Sequence, residues 1–312
     1  MGQEAVSILK AKMQTALGIE TVFKNIGLIC KRNDSRIEHT LGKLMSFLDS
    51  QPVNVLTDTR NAHIRPGKRV IVTDRENLGK ACDLVIVIGG DGTFLNAARS
   101  LADCNARVLG INLGRLGFLA DVMPTKMVNC LKAVLRGHFE EEKRFLLNAV
   151  IIRNGKTVFE VVVLNDVVAH KWHIARLIAF EAYIDSHLVY NQHADGLIVS
   201  TPTGSTAYAL SSGGPILHPS LNAIVLVPIC PHTLSNRPIV VDGGSLVEIV
   251  MEKDERTEAS VTCDGQTSID LEPSDKILIQ KRDKCLHLIH PMGHNYYTTL
   301  RTKLNWDWRK EQ

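Results

Sequence analysis

From Asn25 to Asn112 the apolar residues fall into short unbroken runs with helical spacing between them, whereas beyond about residue 140 apolar and polar positions alternate. Five consecutive aliphatic residues, Leu84 to Ile88, leave no polar face. A run that short, ended by glycines, predicts a strand buried on both sides, as in a parallel sheet. Asn25 to Cys30 and Arg107 to Asn112 have the same character, and Val53 to Leu56 is a shorter version. Ile37, Leu41, Leu44, Met45 and Leu48 recur at helical spacing, with Asp34 or Ser35 placed to cap the helix. Thr93 to Leu101 predicts a second helix. Met127, Leu131, Val134 and Leu135 predict a third, ended by Gly137. Residues 57–80 are polar and basic around Pro66-Gly67, which predicts a loop with a weak strand at Val70 to Val72. Residues 4–24 carry a loose amphipathic pattern and predict a leading helix. Strands alternating with helices make a layered α/β domain.

The second half reads differently. Leu146 to Ile152 and Thr157 to Val168 are apolar runs joined by Asn154-Gly155, a strong short hairpin signal. Leu177 to Ile184 is a further strand, and Leu286 to His290 a last one. The boundary is placed at about residue 140, with an α/β domain over 1–140 and a β-rich domain over 141–285. Lys281-Arg-Asp-Lys284 predicts a solvated turn, and Trp306 and Trp308 are expected to pack at a terminus.

Two stretches concentrate polar chemistry at strand ends. Gly89-Gly-Asp-Gly92 follows the Leu84 strand and precedes a helix. In open α/β sheets that is where backbone N–H groups and a helix dipole converge on an anion. The flanking glycines are expected to leave the Asp91 carboxylate standing free, as a general base or metal ligand. The plainer alternative is a tight turn in which Asp91 caps the helix. Neither a P-loop nor Gly-x-Gly-x-x-Gly is present. A second glycine turn, Asn112 to Leu119, falls at the same edge of the sheet. The other stretch, His193 to Pro219, has a strand at Leu197 to Val199, a hydroxyl-rich turn at Ser200 to Ser205, and a short helix at Thr206 to Ser212 closed by Gly213-Gly214. Hydroxyls and N–H groups at a helix start can hold ribose, amide or phosphate oxygens.

Composition narrows the classes. A net charge of +3 is too small to argue for nucleic acid or an anionic membrane. Apolar runs of about five residues predict no membrane span. The seven scattered cysteines contain no Cys-x-x-Cys pair and read as reduced thiols of a cytoplasmic protein. His287, His290 and His294 come nearest to a metal set, but no Cys or carboxylate completes them within that segment, so no resident metal site is expected.

Gly89-Gly-Asp-Gly92, Asn112-x-Gly-x-Leu-Gly-Phe118, Asn165-Asp166, Asp195-Gly196 with Ser200-Thr-Pro-Thr-Gly-Ser-Thr-Ala-Tyr208, Gly213-Gly-Pro215 and Asp264-Gly-Gln266 together resemble the NAD kinases, in order and approximate spacing. The bacterial, ATP-using branch looks nearest, and the likeness runs from about Ile26 to about Leu304. The resemblance implies an N-terminal open α/β domain of the phosphofructokinase and diacylglycerol kinase type, a C-terminal all-β, sandwich-like domain, and a tail over 286–312 that packs back on the first. It implies a phosphotransferase that moves the γ-phosphoryl group of ATP, with magnesium, to the 2′-hydroxyl of the adenosine ribose of NAD. Asp91 would act on the accepting hydroxyl, and Gly89, Gly90, Gly92 and Thr93 would hold phosphates. Phe118 would lie against the nucleotide, and Asn165 with Asp166 would hold adenine and ribose groups. Thr203, Thr206, Ala207, Tyr208 and Ser211 would line the rest of the NAD site, Asp195 would bind the nicotinamide part, and Asp264 with Gln266 would complete the pocket. A homodimer or homotetramer assembled through the β domain is implied too.

Two positions depart from the family pattern. Asp166 stands where the family usually has Glu. His193 stands where ATP-restricted relatives tend to carry Arg and polyphosphate users a small residue, so donor choice stays open. A lipid or sphingoid kinase of the same superfamily would need an apolar acceptor site, against the hydroxyl-rich 200–206 turn. A non-catalytic NAD-binding regulator would have no need of Asp91.

Overall fold

The computed structural model describes residues 21–31, 36–61, 70–114, 117–172, 176–233, 235–252 and 259–306. The predicted leading helix over 4–24, the Asp34 or Ser35 cap and Trp308 fall wholly or mostly outside them. The chain divides into two compact units, Met1–Glu142 with His287–Gln312, and Lys143–Leu286.

In the first unit the apolar runs become parallel strands because they are buried on both faces. They are β1 (Asn25–Cys30), α1 (Arg36–Leu48), β2 (Asn54–Asp58), β3 (Val70–Thr73), α2 (Arg75–Ala81), β4 (Leu84–Gly89), α3 (Asp91–Leu101), β5 (Arg107–Asn112) and α4 (Met127–Leu135). Pairing gives the order β5-β4-β1-β2-β3, all parallel. All six residues of β4 are buried. α1 and α4 bury Leu41, Leu44, Leu131 and Val134 in one core with Ile26, Ile86, Leu109 and Ile111. His287 and Leu288, near the end of the chain, add a parallel partner to Arg107 and Val108. Where a loop is predicted at 57–80 there is also α2. Its sole large buried side chain, Leu78, gives no periodicity to detect, but Asp74 caps it by accepting the Asn77 N–H at 2.8 Å.

The second unit is built from antiparallel strands. β6 (Phe139–Arg153) turns at Asn154 and Gly155, with φ 51 and 73, into β7 (Lys156–Val163). β8 (Asp166–Lys171), β9 (Ile178–Ile184), β10 (His187–Ala194) and β11 (Gly196–Ser200) follow, then α5 (Tyr208–Ser211), β12 (Ala223–Ile229), β13 (Ile239–Asp242), β14 (Val247–Met251), β15 (Ala259–Cys263), β16 (Thr267–Leu271) and β17 (Lys276–Pro291). One sheet runs β13-β12-β11-β8-β15-β16. β10, β9, β14 and the first part of β17 pair in the other. Alternate residues of both face one core, among them Val167, Phe180, Leu197, Val199, Leu226, Ile249 and Ile277, which is a sandwich. The opposite face of β8, β11 and β12 (Val168, Ile198, Val225, Val227) packs on Ala209 and Leu217. That second cover explains why Leu197 to Val199 shows no alternation.

Four readings change. The single strand over Thr157 to Val168 is two, β7 and β8, because Leu164 and Asn165 form a bend held by side chains from elsewhere. β10 shows little apolar alternation and was not expected. Lys281 to Lys284 lies inside β17, not in a turn, its polar residues carried on a half-exposed strand. Trp306 is 58% exposed and does not pack at the terminus.

Candidate active site

In the first unit β1 leads by way of α1 to β2 on one side, while β4 leads by way of α3 to β5 on the other. Where neighbouring parallel strands part in this way, their carboxyl ends open a crevice. Lys31 follows β1, Gly89 to Asp91 follow β4, and Asn112 to Gly114 follow β5. With Arg36, Gly117 and Lys303 they line a cavity of about 240 Å³. Three cations at a helix start with glycine backbone make an anion site. A Cβ on Gly89 would come within 2.5 Å of Thr93 Oγ1, so the first glycine lets Thr93 pack over the strand end. The grouping of the cations carried no sequence signal, because Lys303, on the C-terminal helix α6 (Tyr296–Lys303), is far along the chain from Lys31 and Arg36.

The Asp91 carboxylate is not free, contrary to the expectation from its flanking glycines. The N–H of Phe118 donates to Oδ2 at 3.0 Å, and those of Leu119 and Ala120 donate to Oδ1 at 3.2 and 3.3 Å. Nor does Asp91 cap its helix: Gly90 is the N-cap, and α3 starts at Asp91 itself. A side chain at Gly117 would collide with the carboxylate, which explains the second glycine turn. Asp91 is still partly exposed, so three amides hold it from one side while the other remains accessible. Phe118 is half-buried, with Tyr296 at 6.4 Å between ring centroids and Lys303 Nζ at 5.7 Å from its ring.

A second cavity, of about 560 Å³, lies within the β unit. Of the expected residues it is lined by Asn165, Asp166, Asp195, Ala207, Tyr208 and Asp264. Asn165 Oδ1 is buried with no hydrogen-bond partner among the described residues, an acceptor that a ligand could use. Asp195 pairs with Lys171 at 2.6 Å. Burial, with the nearby Asp264 charge, pushes Asp166 up to about 7. Asp264 has φ 51, and its carboxylate accepts N–H groups from Leu164 at 3.1 Å, Asn165 at 2.7 Å and Asp166 at 3.3 Å. It lines the cavity while holding the bend that carries Asn165 and Asp166. His170, Lys171 and Thr262 also line the cavity and escaped the sequence reading. His170 and Lys171 end a strand whose pattern was read only as apolar, and Thr262 comes from a strand not anticipated. His170 Nε2 lies 2.8 Å from Thr262 Oγ1.

The dense hydroxyls of 200–206 mostly serve the turn. Thr201 Oγ1 donates to Leu164 O at 2.6 Å, Ser200 Oγ to Asn165 O at 3.1 Å, and Ser205 Oγ to Pro202 O at 2.7 Å. Thr203 is buried and its hydroxyl accepts from Arg144 Nη1 at 3.1 Å. Thr206 Oγ1 donates to Thr203 O at 3.3 Å. The helix beyond is one turn, Tyr208–Ser211, shorter than predicted. Thr203, Thr206, exposed Ser211, exposed Gln266 and exposed His193 do not line either cavity.

The chain matches the ATP-NAD kinase N-terminal domain over residues 26–139 and the ATP-NAD kinase C-terminal domain over residues 164–291. It is 50% identical over 290 residues to the NAD kinase of Hahella chejuensis (strain KCTC 2396), covering 93% of this chain and 98% of that one. Identity to the NAD kinase of Pseudomonas putida (strain W619) is also 50%, over 91% of this chain and 96% of the relative. Among solved structures, an NAD kinase from Archaeoglobus fulgidus in complex with ATP superposes with a TM-score of 0.69 at 26% identity, over 90% of this chain and 98% of that one. Yeast NADH kinase complexed with NADH shares the fold, with a TM-score of 0.84 at 22% identity over 91% of this chain and 88% of that one. With a glycine-Asp turn at the parting of two parallel strands and matching family domains in both units, the chain belongs to the NAD kinases.

Proposed function

We propose that Asp91 is the group that aligns and deprotonates the accepting hydroxyl in the ATP-dependent phosphorylation of NAD to NADP, the reaction of this family. What carries the reading is the carboxylate's position: at the end of β4, clamped by the amides of Phe118, Leu119 and Ala120, and facing a cavity lined by Lys31, Arg36 and Lys303. A ribose hydroxyl is a weak nucleophile, and a carboxylate within hydrogen-bond reach removes its proton as the bond to phosphorus forms. The clamp fixes the carboxylate before substrate arrives, so little reorganisation is needed in the transition state. The three cations and the glycine backbone take the phosphates of ATP and offset their charge.

Among the described residues, Asp91 is the sole acidic side chain lining that cavity. That donor set suits a magnesium ion carried on the phosphates, which keeps most of its ligands from substrate and water, and does not suit a dedicated protein cage. Bound in that way, the ion neutralises phosphate charge.

In the β unit, Asn165 Oδ1 and the Asp166 carboxyl meet the adenosine part of NAD, with Ala207 and Tyr208 against its flat faces. Asp195 and Lys171 hold the more distant part. His193 lacks structural support for selecting between ATP and polyphosphate. The family's dimer or tetramer is expected here too, supported by exposed Leu188 and Val189 on the edge strand β10. A cytoplasmic setting is supported by seven cysteines that form no disulfide among the described residues. No helix among the described residues is long and apolar enough to cross a membrane. The direct test is NADP formation from magnesium-ATP and NAD, with and without Asp91→Asn. Loss of turnover with NAD affinity kept within about tenfold supports the assignment, and equal loss of both rejects it.

A further inference from the structure

We propose that Asp121, His290 and His294 form a binding site for one divalent transition-metal ion of the zinc class, with Glu142 orienting His290. All four residues belong to the α/β unit and stand apart from the phosphate cavity. His290 lies near the end of β17 and is 2% exposed. Gly293, at φ 79, turns the chain back so that the His294 ring stacks on that of His290, centroids 3.9 Å apart and 17° between planes. Both Nδ1 atoms lie 2.9 Å from the same oxygen, Asp121 Oδ2. The three donor atoms fall within 4.8 Å of one another. The sequence offered two of these ligands and withheld the third, because Asp121 comes from the segment after β5.

Proton counting leaves two arrangements at this point. His290 Nε2 faces Glu142 at 3.2 Å while its Nδ1 faces Asp121, and a neutral imidazole has only one N–H to give. Either the ring keeps a second proton, or a metal takes Nδ1 while Nε2–H donates to Glu142. The latter is the carboxylate–histidine–metal arrangement that fixes a ligand's tautomer. Asp121 points the same way independently. Its side chain is 8% exposed, and Oδ1 is buried with no hydrogen-bond partner among the described residues, leaving a second oxygen for an ion.

Asp121 and His294 open onto a cavity of about 820 Å³, from which water can complete the coordination. Two nitrogens and one carboxylate oxygen suit zinc, cobalt or nickel better than magnesium, which separates this site from the ion carried by ATP. Asp121 directly follows Ala120, whose N–H holds Asp91. A bound ion would therefore brace the segment that clamps Asp91.

Chelator-treated full-length protein, titrated with Zn²⁺ by calorimetry without nucleotide, is expected to take up one ion per chain with Kd below about 10 μM. Its Tm should rise with added Zn²⁺. Co²⁺ should give visible d–d bands without sulfur-to-cobalt charge transfer, which excludes Cys130 of the same cavity. His294→Ala should remove binding with circular dichroism unchanged, and Glu142→Gln should weaken it about 10- to 100-fold. Absence of binding in the unmodified protein, a thiolate band, or full binding by His294→Ala would each overturn the proposal.

Discussion

Asp91 in the α/β unit and Asp264 in the β unit make the same contact: each carboxylate accepts three consecutive backbone N–H groups, from 118–120 and from 164–166. They differ in what is left over. Asp91 begins a helix at an open crevice and stays partly exposed, whereas Asp264 sits in a left-handed turn and is 6% exposed. One clamp presents a charge to an open cavity. The other uses a charge to shape a bend whose residues Asn165 and Asp166 line a cavity. On the proposed reading, identical local chemistry yields a catalytic group in one place and a positioning group in the other, and accessibility separates them.

The sharpest way to break the comparison is to neutralise each carboxylate. Asp91→Asn should cut kcat for NADP formation by about 10³-fold while the protein keeps its Tm within a few degrees. Asp264→Ala should reverse that pattern, because three amides lose a charged acceptor in a buried bend. A stability loss of about 3 kcal/mol in denaturant titration is expected, with weaker NAD binding as a consequence. If Asp264→Ala were as stable as the parent and lost only kcat, the positioning role would be wrong.

A third experiment uses Asp166, which the Asp264 clamp holds in place. Its carboxyl is raised from 3.8 to about 7, so the folded protein binds a proton that the unfolded chain has already released. Stability from this group is full below pH 4, falls as pH rises towards 7, and is flat beyond. Asp166→Asn should therefore be more stable than the parent at pH 8, by about 2 kcal/mol, and no more stable at pH 4. A constant difference across that range would show that the carboxyl is not raised.

Smaller effects probe the rims. Lys303→Ala should raise KM for ATP about tenfold with kcat nearly kept, since it removes a phosphate contact common to ground and transition states. Ser211→Ala and Gln266→Ala, both outside the cavity, should stay within about twofold of the parent in NADP assays.

Much of this was legible along the chain. Uninterrupted apolar runs announced buried parallel strands, Asn154-Gly155 announced a hairpin, and the glycine-Asp run announced a strand-to-helix turn. α2 escaped because it buries a single large side chain, Leu78, and a helix held by a cap and one contact leaves no period. The hydroxyls of 200–206 misled because Ser, Thr and backbone carbonyls satisfy each other locally as readily as they satisfy a ligand. His170, Lys171 and Thr262 escaped because nothing in their own neighbourhood marks them as facing one cavity.

By itself the sequence determined the buried parallel strands of the first unit, the helices with apolar periodicity, the 154–155 hairpin, where the character of the chain changes, and that Asp91 stands at the end of a buried strand. Those properties depend on the spacing of neighbouring residues, so periodicity and turn chemistry carry them. Only the tertiary structure decided that Asp91 is clamped, that Asp264 shapes the Asn165 bend, that Lys31, Arg36 and Lys303 share one cavity, and that Asp121 joins His290 and His294. Each of these brings together residues tens to hundreds of positions apart along the chain, and charges and hydrogen bonds act through space, over a few ångströms, whatever that separation.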